Sequence, residues 1–435
     1  MIRARSYSQG INGQSMSKEE VLSAYAKHVN LGFGRLAKVM GLPIEISSEG
    51  SVVFNEKEER YLDCGGYGVF ILGHRHPKVT EAVKSQVDRH PLSTRIMLNS
   101  ELALASKNIA EVAPGGLEYV FFTNSGTEAT ELGLKLGRLN GKPKLIAMHG
   151  GFHGKSLGSL SVTGRPTYQK PFYPLLEGVE FVEFGALEAL KRKLLSYGSQ
   201  ATVIVEPIQA ESGVMLPPIG YLSCVSRLCR ENGALLILDE IQTGFGRTGT
   251  WWACEQYGCN PDILLAGKSL GGGVMPVGAV ITSPKIFRQL NDNPFLHTST
   301  FGGNPLAMSA VSAAISAMKA ENIVWKAKSL GQLLIGQISG ILKGFPELVL
   351  EVRGIGLLMG IEFHEEHYAG DFMMLMMKRK VIVCHSLNQH KVVRLTPPAT
   401  LSEAEIEWLV QAIKETINEM WDSWISGNTV NAKNV

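Results

Sequence analysis

The chain has 435 residues, 45% hydrophobic and 19% charged, which is ordinary globular composition with enough apolar material for two or three domains' worth of core. Its 42 basic and 40 acidic residues leave a formal charge of +2, so no large one-signed field is present to hold nucleic acid or an anionic membrane. Six cysteines are scattered without a Cys-x-x-Cys pair, which excludes the usual zinc frameworks and points to free thiols in a reducing compartment.

The opening "MIRARSYSQGINGQSMSKEE" lacks the apolar core of a signal peptide, and residues 1–16 read as a flexible lead-in. No later apolar run approaches the ~20 residues of a membrane span, so the expected location is cytoplasmic, with no membrane partner. From Lys18 to Met40 the pattern predicts a helix, and "SVVFNEKEERYLDC" a hairpin. Between about residues 75 and 310, the runs "YVFFTN", "KLIAMH", "TVIVEPI", "ALLILDEI", "DILLAG" and "VGAVIT" alternate with helical stretches. Short Val, Ile and Leu runs with little alternation predict strands buried on both faces and joined by crossovers, hence one large α/β domain with a mostly parallel sheet. Helices over Pro305–Lys319 and on through Gly340 follow, then the apolar runs "GIGLLMGIEF", "KVIVCHS" and "VVRLTPP", and a last helix over Ser402–Trp424. This predicts a smaller α+β domain built from both chain ends: residues 17–74 and 321–435 around a large domain of 75–320.

Several short motifs carry less than their letters promise. "GFGRTG" at Gly244 fits the dinucleotide fingerprint, but "IQT" separates it from the preceding strand and no helix opens on it. "GKSLG" occurs twice, at Gly154 and Gly267, and fits a nucleophile elbow; Ser269 follows a plausible strand, so a serine hydrolase stays open as a remote alternative. His149 and His153 stand four apart in "HGGFHG", too glycine-rich for a ligand-bearing helix, and no metal site is expected. Neither "GKS" completes a P-loop.

The most informative residue is Lys268 in "DILLAGKSLGGG", an amine at the end of a buried strand in a turn of glycines. One explanation is a stem that merely snorkels to the surface. The other is a Schiff-base lysine for a carbonyl cofactor, with glycines leaving room for a flat ring. Pyridoxal phosphate would need three partners. For its phosphate, "FFTNSGTEATELGLKLGRL" supplies a strand, then Ser125, Gly126 and Thr127, then a helix N-terminus, although Ser125 with Glu128 equally makes an ordinary capping box. For its ring nitrogen, Asp239 ends the most apolar strand, where a lone acid is costly to bury without a cation. For its two faces, Ile241 shares the side of Asp239, and Phe152 follows a strand end, where it would also serve as core filler.

"NSGTEATELGLKLGR", "GGFHGKSLGSLS", "VEPIQAESGV", "LLILDEIQTGFGRTG", "PDILLAGKSLGGGVMPVGAV", "HTSTFGGNPLA" and "VVRLTPPATLS" resemble, in order and over about residues 20–425, the signatures of class III pyridoxal-phosphate aminotransferases of fold type I. "CGGYGVFILGHRHP", "LGGGVMPVGA" and "NPFLHTSTFGGNPLA" are most similar to the bacterial putrescine aminotransferases within that group. The resemblance implies pyridoxal 5'-phosphate as cofactor, Lys268 as its covalent lysine and Asp239 as the partner of the pyridine nitrogen. It implies Gln242 at the ring hydroxyl, Gly126 and Thr127 at the phosphate, Phe152 stacked on the ring, and a homodimer in which Thr300 reaches the phosphate of the other subunit. It further implies that Arg394 clamps the α-carboxylate of an acceptor such as 2-oxoglutarate, and that Glu211 neutralises Arg394 when the substrate lacks that group. Without the resemblance, Arg394 reads as a structural ion pair. The family usually has glycine where Ala210 and Ser212 stand, so side-chain atoms crowd Glu211 here.

The implied reaction is a ping-pong transfer of a terminal amino group from a diamine to 2-oxoglutarate or pyruvate. Similar signatures, "YAKHVN" among them, also occur in aminotransferases of secondary-metabolite pathways, and an ornithine or 4-aminobutyrate type enzyme is a further alternative. Tyr67 and Phe70 stand where they would line a substrate entrance, or simply pack.

Overall fold

A computed structural model describes residues 16–431, and all but Met16 of the expected lead-in lies outside the described residues. The organising feature is a seven-stranded sheet. Its strands, labelled in chain order, are β1 (Tyr119–Thr123), β2 (Lys144–Met148), β3 (Val179–Val182), β4 (Ala201–Val205), β5 (Leu235–Asp239), β6 (Ile263–Ala266) and β7 (Gly278–Thr282). The spatial order is β1-β7-β6-β5-β4-β2-β3. Six of these strands point the same way, and β7 runs antiparallel to its neighbours β1 and β6. β4 to β7 are buried at every residue, as strands covered by helices on both faces must be. Parallel β-strands bring their C-terminal ends to one edge, and ligands of open α/β sheets bind outside that edge. Asp239 and Lys268 both lie there, Asp239 as the last residue of β5 and Lys268 two residues beyond β6.

Around this sheet the chain ends cooperate. Val381–Ile382 pairs in parallel with Arg60–Asp63, so residues more than 300 apart in sequence share a sheet. A second small sheet contains Val349–Ile355, Leu358–Phe363, Gln389–Leu395 and Cys384–Ser386, and it carries Arg394 in its buried strand.

Some elements depart from expectation for identifiable reasons. The Lys18–Met40 helix is broken at Asn30, whose backbone is extended while its side chain accepts from Phe33 N at 2.9 Å. The apolar run "GIGLLMGIEF" spans a hairpin, turning at Gly356 with φ +56°. "KVIVCHS" divides between two sheets. β3 was not anticipated: it is a half-buried edge strand with Glu180 in it, and it lacks the continuous apolar run of its neighbours.

Candidate active site

The turns after β5 and β6, the loop after β2 and the start of the helix Gly126–Leu139 enclose a cavity of about 300 Å³. Ser125, Gly126, Thr127, Phe152, Glu211, Asp239, Ile241, Gln242 and Lys268 all line it, which brings nine of the twelve anticipated residues together. The close approach of the helix N-terminus to β5 depends on Gly126, because a Cβ there would lie 2.8 Å from Ile241 Cδ1.

Lys268 occupies a left-handed backbone conformation, φ +46°, at the start of a short 3-10 turn. The residue keeps partial exposure while lining the cavity, and burial of its ammonium, opposed by the charge of Glu211, pushes its pKa below the ordinary lysine value. Asp239 is 3% exposed and accepts from Ile241 N at 3.1 Å. Its other oxygen lies 2.7 Å from Nδ1 of the buried His153. Burial disfavours the charged imidazole, but the hydrogen bond and charge of Asp239 outweigh it and raise the histidine's pKa. His153 is therefore the hydrogen-bonding partner that a buried Asp239 requires. In the sequence that signal is a demand without a candidate, since the spacing of His153 from His149 raises only the question of a metal ligand. The two histidines of "HGGFHG" diverge: His149 is half-exposed and 4.0 Å from Glu183.

Glu206, one residue beyond β4, is the second residue not anticipated. It is buried in the cavity wall, accepts from Phe152 N at 2.9 Å, and its carboxyl is pushed up to about 7, chiefly by burial. A carboxyl whose folded pKa exceeds its unfolded value binds more protons in the native state between the two, so stability falls as pH rises through that window. Glu206→Gln should flatten the loss of thermal stability between pH 4.5 and about 7, and above pH 7 it should melt higher than the parent; thermal unfolding at pH 5 and pH 8 checks this.

Gln242 is buried, and among the described residues neither its side-chain oxygen nor its nitrogen has a hydrogen-bond partner; Nε2 of His153 is likewise unpartnered among them. Buried orphans of this kind, facing a cavity, mark a place for a polar ligand. Gly68 closes over Gln242 with φ +76°, and a Cβ there would fall 2.1 Å from Gln242 Nε2, so no larger residue fits. At the helix N-terminus Ser125 caps Glu128 N at 3.4 Å. The Thr127 hydroxyl is 2.8 Å from Ser156 Oγ and 2.7 Å from Ser159 Oγ. The first-turn N–H groups of Gly126 and Thr127 have no intrahelical acceptor and favour an anion.

Glu211 is 4% exposed and lines the cavity, with its Oε1 2.7 Å from Nη1 of the fully buried Arg394. Burial would raise the glutamate's pKa; Arg394 first, then Lys268, outweighs it and holds the carboxyl below its usual range. Arg394 itself is not part of the cavity lining. Tyr67 is 57% exposed on a positive-φ turn and also lies outside the lining. Thr300 is exposed and lines a different groove, about 640 Å³, beside Met97, Leu98 and Phe301.

Two motif alternatives find other uses. Ser269 is buried and donates its hydroxyl to Gly68 O at 2.9 Å. The "GFGRTG" loop places a fully buried Arg247 that donates to the carbonyls of Gly68, Leu357 and Pro397, tying the C-terminal part of the chain to the cavity rim.

The family model Aminotransferase class-III matches residues 38–417. The chain is a class III aminotransferase. Among solved structures, this aminotransferase is similar to the ornithine aminotransferase of Toxoplasma gondii, with TM-score 0.86 and 28% identity over 94% of this chain and 95% of that one. It is also similar to an (S)-enantioselective omega-transaminase from Thermomicrobium roseum, with TM-score 0.85 and 27% identity over 93% and 99% of the two chains. For the omega transaminase of Pseudomonas jessenii in complex with PMP, the values are 0.83 and 25% over 90% and 96%. Class III aminotransferases use pyridoxal 5'-phosphate, and the cavity fits it: an enclosed amine, a paired buried carboxylate, an orphaned Gln242 and an anion-favouring helix end.

Proposed function

We propose that this class III aminotransferase takes a terminal amino group from a diamine of the putrescine or cadaverine type and delivers it to 2-oxoglutarate or pyruvate, in the cytoplasm. The observation that carries the reading is the Glu211–Arg394 pair: with the guanidinium covered at 2.7 Å and set behind the cavity lining, Arg394 is not presented to the cavity, which suits an amine lacking an α-carboxylate. A 2-oxo acid must displace Glu211 to reach Arg394, which then binds the carboxylate bidentately.

Lys268 would hold the cofactor covalently, Asp239 would sit at its ring nitrogen and Gln242 at its ring hydroxyl. Phe152 and Ile241 would cover the two ring faces, and Ser125, Gly126 and Thr127 would take the phosphate. Bound pyridoxal phosphate supplies an aldehyde for the amine and an electron-withdrawing ring beside the substrate carbon. Lys268 Nζ, with its pKa lowered by burial, takes the proton from the amine-bearing carbon as general base. Asp239, fixed by His153, holds a proton at the ring nitrogen. Tyr67 would stand at the substrate entrance.

We further propose a homodimer in which Thr300 serves the partner's site; its exposure on an apolar groove away from its own cavity supports this. The sheet shared by Arg60–Asp63 and Val381–Ile382 supports a small domain of residues 17–74 and 321–435 around a cofactor domain of 75–320.

The likeness to an ornithine aminotransferase over 94% of the chain favours, as second reading, an omega-aminotransferase acting on ornithine or a related amine. A donor panel of putrescine, cadaverine, ornithine and 4-aminobutyrate, each with 2-oxoglutarate and pyruvate, together with aliphatic aldehydes as acceptors from glutamate, tests this. The highest kcat/KM is expected for a diamine; a preference for ornithine, 4-aminobutyrate or an aldehyde would replace the first reading.

A further inference from the structure

The segment Leu387–Asn388 is held from both sides. Its two N–H groups point at Glu211: Leu387 N donates to the glutamate's Oε2 at 2.9 Å, and Asn388 N donates to its main-chain oxygen at 2.8 Å. Its two carbonyls are taken by side chains of a separate helical turn. Tyr168 OH donates to Leu387 O at 2.9 Å, and Arg165 donates to Asn388 O. Tyr168 is itself steadied by Lys155, whose Nζ lies 4.5 Å from its ring centre. A second anchor acts next to the glutamate: Ser212 Oγ donates to Gly150 O at 2.6 Å, and Asn388 Nδ2 donates to the same oxygen at 2.8 Å.

We infer that Tyr168, Arg165 and Ser212 are positioning residues that brace Glu211 in its place over Arg394, and so set how readily this enzyme admits a carboxylate-bearing substrate. The inference rests on the proposed role of Glu211 as the group covering Arg394. Each bond to Leu387–Asn388 or to Ser212 favours the covered state over the displaced one, so a carboxylate competing for Arg394 works against them. An amine donor that leaves Glu211 in place does not.

The test is equilibrium binding of glutarate, a dicarboxylate with no carbonyl to react, to the holoenzyme by titration calorimetry, with the KM for putrescine measured alongside. Tyr168→Phe, which removes only the hydroxyl on Leu387 O, should tighten glutarate about fivefold, the ratio that loss of one ordinary hydrogen bond gives, while the KM for putrescine stays put. If that variant does not accumulate as folded protein, Ser212→Ala carries the same expectation. Glu211→Gln serves as reference and should tighten glutarate further. If Glu211→Gln tightens glutarate but the brace variant leaves it equal or weaker, the brace is wrong and the role of Glu211 stands. If Glu211→Gln leaves glutarate unchanged, Glu211 does not cover Arg394 and both ideas fall.

Discussion

Lys268→Ala is expected to leave a folded protein that has lost turnover by roughly 10³-fold or more, the scale of a removed general base compounded by loss of the covalent anchor. The backbone argument favours folding, because the lysine's positive φ of +46° belongs to the turn and alanine tolerates it about as well as lysine does. The side chain ends in a cavity instead of a packed core, so its removal leaves no close-packed void of the kind that destabilises. Circular dichroism and thermal unfolding would report the fold, and single-turnover kinetics the chemistry. Retention of the parental rate would mean that another group takes the proton.

Asp239→Asn should cost comparably, on the order of 10² to 10⁴ in kcat, with a distinct signature. The change keeps shape and removes charge. His153, fully buried at its side chain and 2.7 Å from the carboxylate, then loses the partner that chiefly raises its pKa, so burial, opposed by the charge of Glu206, moves the imidazole's pKa down from that of the parent. The sign for stability follows. In the parent, a histidine pKa raised above the unfolded value contributes stability that is complete below the unfolded pKa and is lost as pH rises through the folded one. In the variant that contribution disappears, so the difference in melting temperature between parent and Asp239→Asn should be largest at acidic pH and shrink toward alkaline pH. Nuclear magnetic resonance titration of His153 in both proteins checks the cause directly; an unchanged histidine pKa would remove Asp239 as its determinant.

Most of the architecture is legible in the chain where burial is complete on both faces. The runs that form β5 and β6 are continuous in Leu, Ile and Ala, and they lead into the two residues that matter most, Asp239 at the end of β5 and Lys268 two residues past β6, because the C-terminal edge of a buried strand is where a polar side chain can face a cavity. Gly126 and Gly68 were available as punctuation, but only the fold shows what each approaches, Ile241 in one case and Gln242 in the other. Elements without a strong local signature stayed hidden. β3 is an exposed-edge strand, and the antiparallel direction of β7 is set by its connection through the 3-10 turn at Lys268, which no periodicity encodes. His153 stands 86 residues before Asp239 and acts through tertiary contact, so a linear search for the counter-charge of Asp239 has no distance to search over, and Glu206 likewise meets Phe152 N across 54 residues. The brace on Glu211 is of the same kind, since Tyr168 and Leu387 meet across 219 residues.

Cofactor chemistry in this enzyme is expected to start from a covalent bond between the cofactor and one amine. Borohydride reduction of the holoenzyme, digestion and mass spectrometry read that bond directly. The expected adduct lies on the peptide containing Lys268; an adduct on any other lysine, or none after saturation with pyridoxal 5'-phosphate, contradicts it.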